Sequence, residues 1–443
     1  MPLRQSDRQG GAGTNLKLTA YKKFPTNYPH RNTDLWLSGK RIDDNIGPYW
    51  RIHNKLYDLT DFADRHPGGK MWIEVTKGTD ITEAFESAHI SGNAEKLLKK
   101  FFVKDISTPR NSPYTFHEDG FYKTFKRKVQ PILKEIGTGP PWKSLLIQDG
   151  LTLAFVGLTI ASSVLSSFTL AAFAGAILSL VISCAHNFFH QRDNWRMHYF
   201  DLSFATAYDW RVTHALSHHL YTNTANDIEI SIFVPLWEYL PKPDKTLLQR
   251  YGTIIYEFAL LPLGPPFHHH MQNIYAAYVK GRAPPPGEFA QYSVLFVMAI
   301  FSQSFWLALR LFVALHVTAH LVFSFIGLTA AHHHPDIFHD GDKMRDDPDW
   351  GLCQLDAVRD RTEVTGNLLM VLTTFGDHTL HHLLPTVDHS KLSSLYPVFL
   401  ETCKEFNVPF SFMSWQTLFT GRYLQMANIT PNPNHPGYKA KVS

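Results

Sequence analysis

The stretch F-G-D-H-T-L-H-H-L-L-P, residues 375–385, places His378, His381 and His382 close together. Residues three and four apart on a helix share a face, so the three imidazoles can converge on one point. Neutral imidazole is a ligand for iron, copper, zinc and nickel. One such cluster is a weak signal, and its weight comes from the clusters that answer it. H-N-F-F-H supplies His186 and His190, one helical turn apart, and H-A-L-S-H-H supplies His214, His218 and His219. The three boxes together hold eight histidines, and the run A-A-H-H-H at 330–334 offers a ninth through His332 or His333. A tetrahedral zinc takes four ligands at most. Eight or nine imidazoles therefore point to two metal ions.

The chain has 443 residues, enough for two or three domains at roughly 150 residues each. A formal net charge of +3 is too small to argue for nucleic acid. Cys184, Cys353 and Cys403 are the only cysteines and lie far apart, which excludes a disulfide framework or a Cys-based zinc site. The 25 histidines are the compositional anomaly. Residues 1–40 carry no apolar core and do not form a signal peptide. Residues 1–33 are expected to be a flexible lead-in.

A first domain is expected over residues 34–105. Short strand-like runs at 49–52 and 55–59 alternate with helical pieces at 60–65 and 81–86. His66-Pro67-Gly68-Gly69 ends a helix and presents His66 at a tight corner. His89 follows after D-I-T-E-A-F. Two histidines on opposed loops around an apolar cleft can ligate a haem iron from both faces. The runs Y-D-L-T-D-F-A-D-R-H-P-G-G and D-I-T-E-A-F-E-S-A-H resemble cytochrome b5. That resemblance implies an α+β domain holding haem b between His66 and His89, with both axial positions filled and electron transfer favoured over oxygen binding. Buried haem would supply core that so small a domain lacks.

Residues 106–146 read as a linker with an interfacial helix. Residues 147–425 then form an all-α membrane domain, followed by a C-terminal tail at 426–443. No charged residue occurs from 150 to 185, which is too long for one span of about 20 residues. Two helices turning near Ser166-Ser167 fit. Residues 289–331 are apolar apart from Arg310, His316 and His320. Dividing them at Arg310 gives spans at 292–309 and 311–331. The runs 251–263 and 368–375 are too short to cross, and the first is expected to be re-entrant or interfacial. Four spans in two hairpins put the first domain, the loop 187–287 and everything after His332 on one side. Nearly all Lys and Arg fall there, so the positive-inside tendency makes that side cytosolic. The boxes share it. Iron is the preferred metal, because a haem electron donor sits in the same chain and zinc has no redox role. His268-His269-His270 reads as surface or substrate mouth, and His316 and His320 as polar contacts inside the bundle.

H-x-x-x-H, H-x-x-x-H-H and H-x-x-H-H resemble the three boxes of membrane fatty-acid desaturases. Joined to the haem domain, residues 34–419 resemble the cytochrome b5-related proteins, a desaturase-like fusion group. The resemblance implies a four-span membrane domain with a cytosolic cap, in the endoplasmic reticulum, carrying two non-haem iron ions. Its implied ligands are His186, His190, His214, His218, His219, His378, His381 and His382, with His332 or His333 as an extra one. His378 departs from the glutamine that fused front-end desaturases place first in the third box. An NADH-dependent cytochrome b5 reductase, O2 and a fatty-acyl lipid are the implied partners, with desaturation the implied reaction. A lipid hydroxylase with the same metals, or a membrane haem electron carrier without catalysis, are the rival readings. Asp377, Asn223 and Asp227 are candidates to orient the imidazoles.

Overall fold

The computed structural model describes residues 19, 21–262, 265–281, 283–285 and 287–436. An N-terminal domain of mixed α and β elements precedes a helical domain. In the first, Trp50–Ile52, Lys55–Tyr57 and Phe102–Asp105 form an antiparallel three-stranded sheet. The turn between the first two strands has His53 in the left-handed region. Trp50, Ile52, Tyr57, Leu59, Ile73 and Phe85 form its small core. The four helical pieces Thr60–Arg65, Lys70–Val75, Thr82–Ala88 and Asn93–Leu98 complete the domain.

Among the described residues three helices are long and apolar enough to cross a membrane, where four spans were expected: Trp142–Val164, Phe168–Phe189 and Phe305–Leu328. The first two turn at Ser166, in the left-handed region, and Ser167 caps the second by accepting from Leu170 N–H. The second and third press backbone to backbone at Gly175, where a Cβ would overlap the Leu315 carbonyl. The expected break at Arg310 is absent. The chain turns earlier, at Gln303 in the left-handed conformation, and Ser304 caps the long helix by accepting from Leu307 N–H. Arginine is a good helix former and its exposed side chain reaches outward, so its charge marks no boundary. The leg before this turn, Tyr292–Ser302, has 11 residues. That is about 16 Å, half of a bilayer core.

The runs expected to be too short are so. Thr253–Leu260 exposes Ile254, Ile255 and Phe258, and is held by a Glu257–Arg422 ion pair to the C-terminal helix Trp415–Ala427. Leu368–Thr373 has six residues. Asp388 joins distant segments: it accepts from Ser144 Oγ (3.0 Å) at the start of the first long helix and from Asn187 Nδ2 (2.7 Å) at the end of the second. The two ends of this hairpin therefore lie on one side.

Two segments differ from expectation. The linker helix Phe121–Ile136 turns its apolar face into the protein. Its apolar face, Phe121, Tyr122, Phe125, Val129 and Leu133, is buried, with Phe125 edge-on to Phe399 and Lys128 paired with Glu401 and Glu405 of helix Tyr396–Glu405. Amphipathic periodicity states that a face is buried, not what covers it. The described part of the expected flexible lead-in is packed too. Tyr21 and His30 are buried, and Arg31 donates to Ile232 O at 3.0 Å. The C-terminal tail is anchored as far as Asn432, whose N–H donates to Asp342.

Candidate functional site

In the N-terminal domain, His66 and His89 face each other with ring centroids 6.2 Å apart. Two metal–nitrogen bonds of about 2 Å plus two ring radii give roughly that spacing. Each ring donates Nδ1–H to a carbonyl at 2.9 Å, His66 to Gly69 and His89 to Phe85. That leaves each Nε2 lone pair for a ligand role. Gly68 lies under His66, where a Cβ would crowd the ring. Burial holds His89 below the ordinary histidine value, as a neutral ligand requires. The pair fits a haem iron between them.

The three boxes converge in the helical domain. His186 and His190 end the second long helix. His378, His381 and His382 stand on the short helix His378–Leu383, entered through Phe375 and Asp377, both in the left-handed region. His214 and His218 lie on a π-helical segment, Arg211–His218, in which the His219 N–H bonds the His214 carbonyl five residues back. Such widened turns recur at functional sites.

This winding divides the histidines into two groups. One contains His186, His190, His214, His219 and His381, and the other His218, His332 and His382, to which His378 is joined through His332; His214, His218 and Glu229 form a set between them. In the first, the His186 Nε2 lies 2.9 Å from that of His214, 3.1 Å from His190 and 3.2 Å from His381. His214 and His219 are 3.0 Å apart. In the second, the His332 Nε2 lies 3.1 Å from His218 and 2.6 Å from His378. Metal–nitrogen bonds of about 2.1 Å at right angles put neighbouring nitrogens about 3.0 Å apart. Where Nδ1 already has a partner, as in His214, His218, His332, His381 and His382, the converging Nε2 atoms carry lone pairs that cannot satisfy one another but suit a cation. Both groups fit metal ions by this test. Burial first, then the neighbouring imidazoles, hold His190, His219, His332, His378, His381 and His382 well below the ordinary value.

A model of the family described as fatty acid desaturase matches residues 163–414, and one for the cytochrome b5-like heme/steroid binding domain matches 38–107. The chain belongs to the fatty acid desaturase family, with a cytochrome b5 domain fused before the desaturase domain. It is 40% identical to the "Cytochrome b5-related protein" of Drosophila melanogaster over 94% of this chain and 96% of that one. "Delta(5) fatty acid desaturase A" of Dictyostelium discoideum is 25% identical over 81% of this chain and 85% of its own. Cytochrome b5 of Bos taurus is 31% identical over 26% of this chain and 78% of its own. No solved structure matches.

In this desaturase domain five of the outward Nδ1 atoms are held in turn. His214 meets Glu229 at 2.6 Å, His218 meets Asp227 at 2.9 Å, His381 meets His389 at 2.9 Å, and His382 meets Gln354 at 3.0 Å. His332 meets the Ala357 carbonyl at 3.2 Å. Burial opposes protonation of His218, but Asp227 and Glu229 outweigh it and push His218 up to about 9. Asp227 thus does what its sequence position suggested. Asn223 instead donates to the carbonyls of His332 and Phe338, both at 2.9 Å, and so shapes the loop that carries His332. Asp377 faces the Tyr396 hydroxyl (3.4 Å), and burial together with Asp360 pushes it up to about 7. Glu229, Gln354 and His389 escaped the sequence reading. Glu229 had the weak signal of a second acid two residues after Asp227, and the other two had none.

The structure separates the two candidates for the extra position. His332 joins the second group, whereas His333 lies flat on Tyr239 with centroids 3.6 Å apart. His270 is buried rather than surface, with Nδ1 2.7 Å from Glu288 and Nε2 3.0 Å from the Tyr292 hydroxyl. His268 meets the Arg31 carbonyl, and the side chain of His269 lies outside the described residues. His316 and His320 are buried around Phe204, apart from both groups. A cavity of about 160 Å³ reaches the centre. His214, His218, His332 and His378 line it together with the apolar Trp237, Phe323, Leu328 and Phe375.

Proposed function

We propose that this chain is a membrane lipid desaturase that uses O2 and electrons from its own haem domain to place a double bond in an acyl chain. The observation that carries the reading is the apolar cavity lined by imidazoles of both histidine groups. In this reading His66 and His89 hold haem b. His186, His190, His214, His219 and His381 hold one iron, and His218, His332, His378 and His382 hold the other. Haem supplies one-electron transfer and the iron pair supplies O2 chemistry.

The protein's own part is binding, orientation and exclusion of water. Phe323, Leu328, Phe375 and Trp237 offer an acyl chain a dry wall beside the imidazoles. Which carbons react follows from where that wall stops the chain. Glu229 and Asp227 keep His214 and His218 in the tautomer that turns Nε2 inward. Dehydrogenation rather than simple electron carriage is favoured because a carrier has no use for an apolar cavity lined by these histidines. Residence in the endoplasmic reticulum with both sites facing the cytosol, and reduction by an NADH-dependent reductase, belong to the same proposal.

The test pairs two variants with product analysis. His66→Ala is expected to lose the haem spectrum and keep non-haem iron, His381→Ala to do the reverse, and both to lose product. Loss of two hydrogens from a cellular lipid, seen by mass spectrometry on expression, supports desaturation. Full product formation by His381→Ala refutes the iron reading.

A further inference from the structure

The haem domain is held against the desaturase domain at both of its ligand-bearing segments. On the His66 side, the Arg211 guanidinium lies 4.8 Å over the Trp72 ring. Arg211 also donates Nε–H to the Phe189 carbonyl at 2.9 Å and Nη1–H to Asp193 at 2.5 Å. Asp193 sits against Gly69, so close that a Cβ there would overlap its carboxylate. His190 directly follows Phe189.

On the His89 side the joint is Tyr122 of the linker helix. Its hydroxyl lies 3.2 Å from the Glu86 carbonyl, on the helix leading to His89, and 3.1 Å from the Leu383 carbonyl, next to His382. Thr386 Oγ1 donates to the Ala88 carbonyl at 3.3 Å. Lys126 Nζ donates to the Glu86 carbonyl at 2.7 Å and to its carboxylate at 3.0 Å. Glu86 also pairs with Lys123 at 3.1 Å and His53 at 2.8 Å. Glu83 pairs with Arg110 at 2.5 Å. Glu83, Glu86 and Tyr122 are essentially inaccessible to solvent. Separating the haem domain from the helix Phe121–Ile136 would break the buried pairs of Glu86 with Lys123 and Lys126, which is costly because each lone partner is left desolvated or must be rehydrated.

We propose that the haem domain is a fixed donor, latched at both ligand segments so that each chain reduces its own iron centre, and that Tyr122 is the positioning residue of the latch beside His89. This rests on the desaturase reading above. With haem held by His66 and His89 and iron held by the box histidines, each transfer would oxidise one haem iron and reduce one non-haem iron by a single electron. Two electrons, two protons and one O2, with two hydrogens removed from the acyl chain, balance as two waters and one double bond. A pyridine-nucleotide-dependent reductase replaces the haem electrons. A hydroxyl bridging two carbonyls does not react. It keeps the His89 segment beside the third box.

Holo-chain is tested by reducing its haem and following haem reoxidation under O2, with the His381→Ala chain, which lacks a ligand of the first iron, as background. The first arm compares one chain per phosphatidylcholine nanodisc with the same protein crowded in phosphatidylcholine vesicles. Equal rates are expected, and a tenfold loss on isolation would overturn the fixed donor by showing that electrons cross between chains. The second arm uses Tyr122→Phe, which keeps the ring edge-on to Trp350. Reoxidation is expected to slow about 2- to 12-fold, the equilibrium value of the one hydrogen bond a single hydroxyl proton can make, with haem spectrum and iron content unchanged. Reoxidation at the unaltered rate removes Tyr122 from the latch. If His381→Ala reoxidises as fast as the unaltered chain, the iron reading itself falls and the latch with it.

Discussion

Alanine at His332 and at His333, one at a time, separates two neighbours that the sequence leaves equivalent. The His332 Nε2 lies 3.1 Å from that of His218 and 2.6 Å from that of His378. His332→Ala cuts the second group from four nitrogens to three and empties the space between His218 and His378. Loss of an outer partner alone weakens metal affinity by roughly 10- to 100-fold, so loss of a direct donor is expected to exceed about 100-fold. His333 holds no such place. Its ring lies on Tyr239 at 3.6 Å and 6°, and removing that stack costs about 1–3 kcal/mol of stability with the small cavity left behind. The assay is non-haem iron per haem in freshly purified protein, with thermal unfolding in parallel. Unaltered protein is expected to hold two irons per haem, His332→Ala one, and His333→Ala two with a lowered melting temperature. If His333→Ala loses an iron while His332→Ala keeps both, the assignment of the second group is wrong.

Burial would raise the Glu86 carboxyl, but His53, Lys126 and Lys123 outweigh it and hold it well below the ordinary 4.5. A depressed folded value means its stabilisation is present above about pH 4.5 and lost as pH falls from there. Glu86→Gln is expected to be less stable at pH 7 and to show a flatter loss of denaturant midpoint below pH 5; equal slopes would contradict the pairing. Asp388→Ala leaves Ser144, Asn187 and Gln191 without their shared acceptor. A loss of about 3–5 kcal/mol is expected in thermal or chemical unfolding, and a change under about 1 kcal/mol would mean that Asp388 is not the joint between those segments. Gly175→Val puts a side chain into the Leu315 carbonyl and is expected to cost at least about 1–3 kcal/mol. Gly157→Val, where a Cβ meets nothing, is the matched control, and equal melting temperatures for the two would refute the close approach.

Much of this molecule is legible in local patterns. Pro67, Gly68 and Gly69 announce a corner at His66, and the charge-free run from 150 to 185 announces a helical hairpin. Both are set within a few residues by backbone preference and by transfer of apolar side chains. Where a helix stops inside an apolar run is harder. Gln303 and Ser304 end one helix and begin the next, yet Arg310 is the residue that looks like a boundary. Capping geometry, not charge, chose the break.

The histidine boxes show the same division. Their spacing alone states that imidazoles share helix faces, and their number alone calls for two metals. An α-helical reading pairs His214 with His218, four residues on. The structure winds that segment as a π-helix, so His214 aligns with His219, and His218 turns toward His332 and His378. One added residue per turn redistributes the ligands between two groups, and no local propensity encodes it. The same holds for the outer partners. Glu229, Gln354 and His389 reach His214, His382 and His381 only once the loop after the second box, the helix Trp350–Ala357 and the turn at Asp388 have packed around them. Residue type and spacing determine that this chain has haem-ligand and metal-ligand histidines. Which imidazole belongs to which group, and what holds each in place, are decided by contacts between segments up to two hundred residues apart.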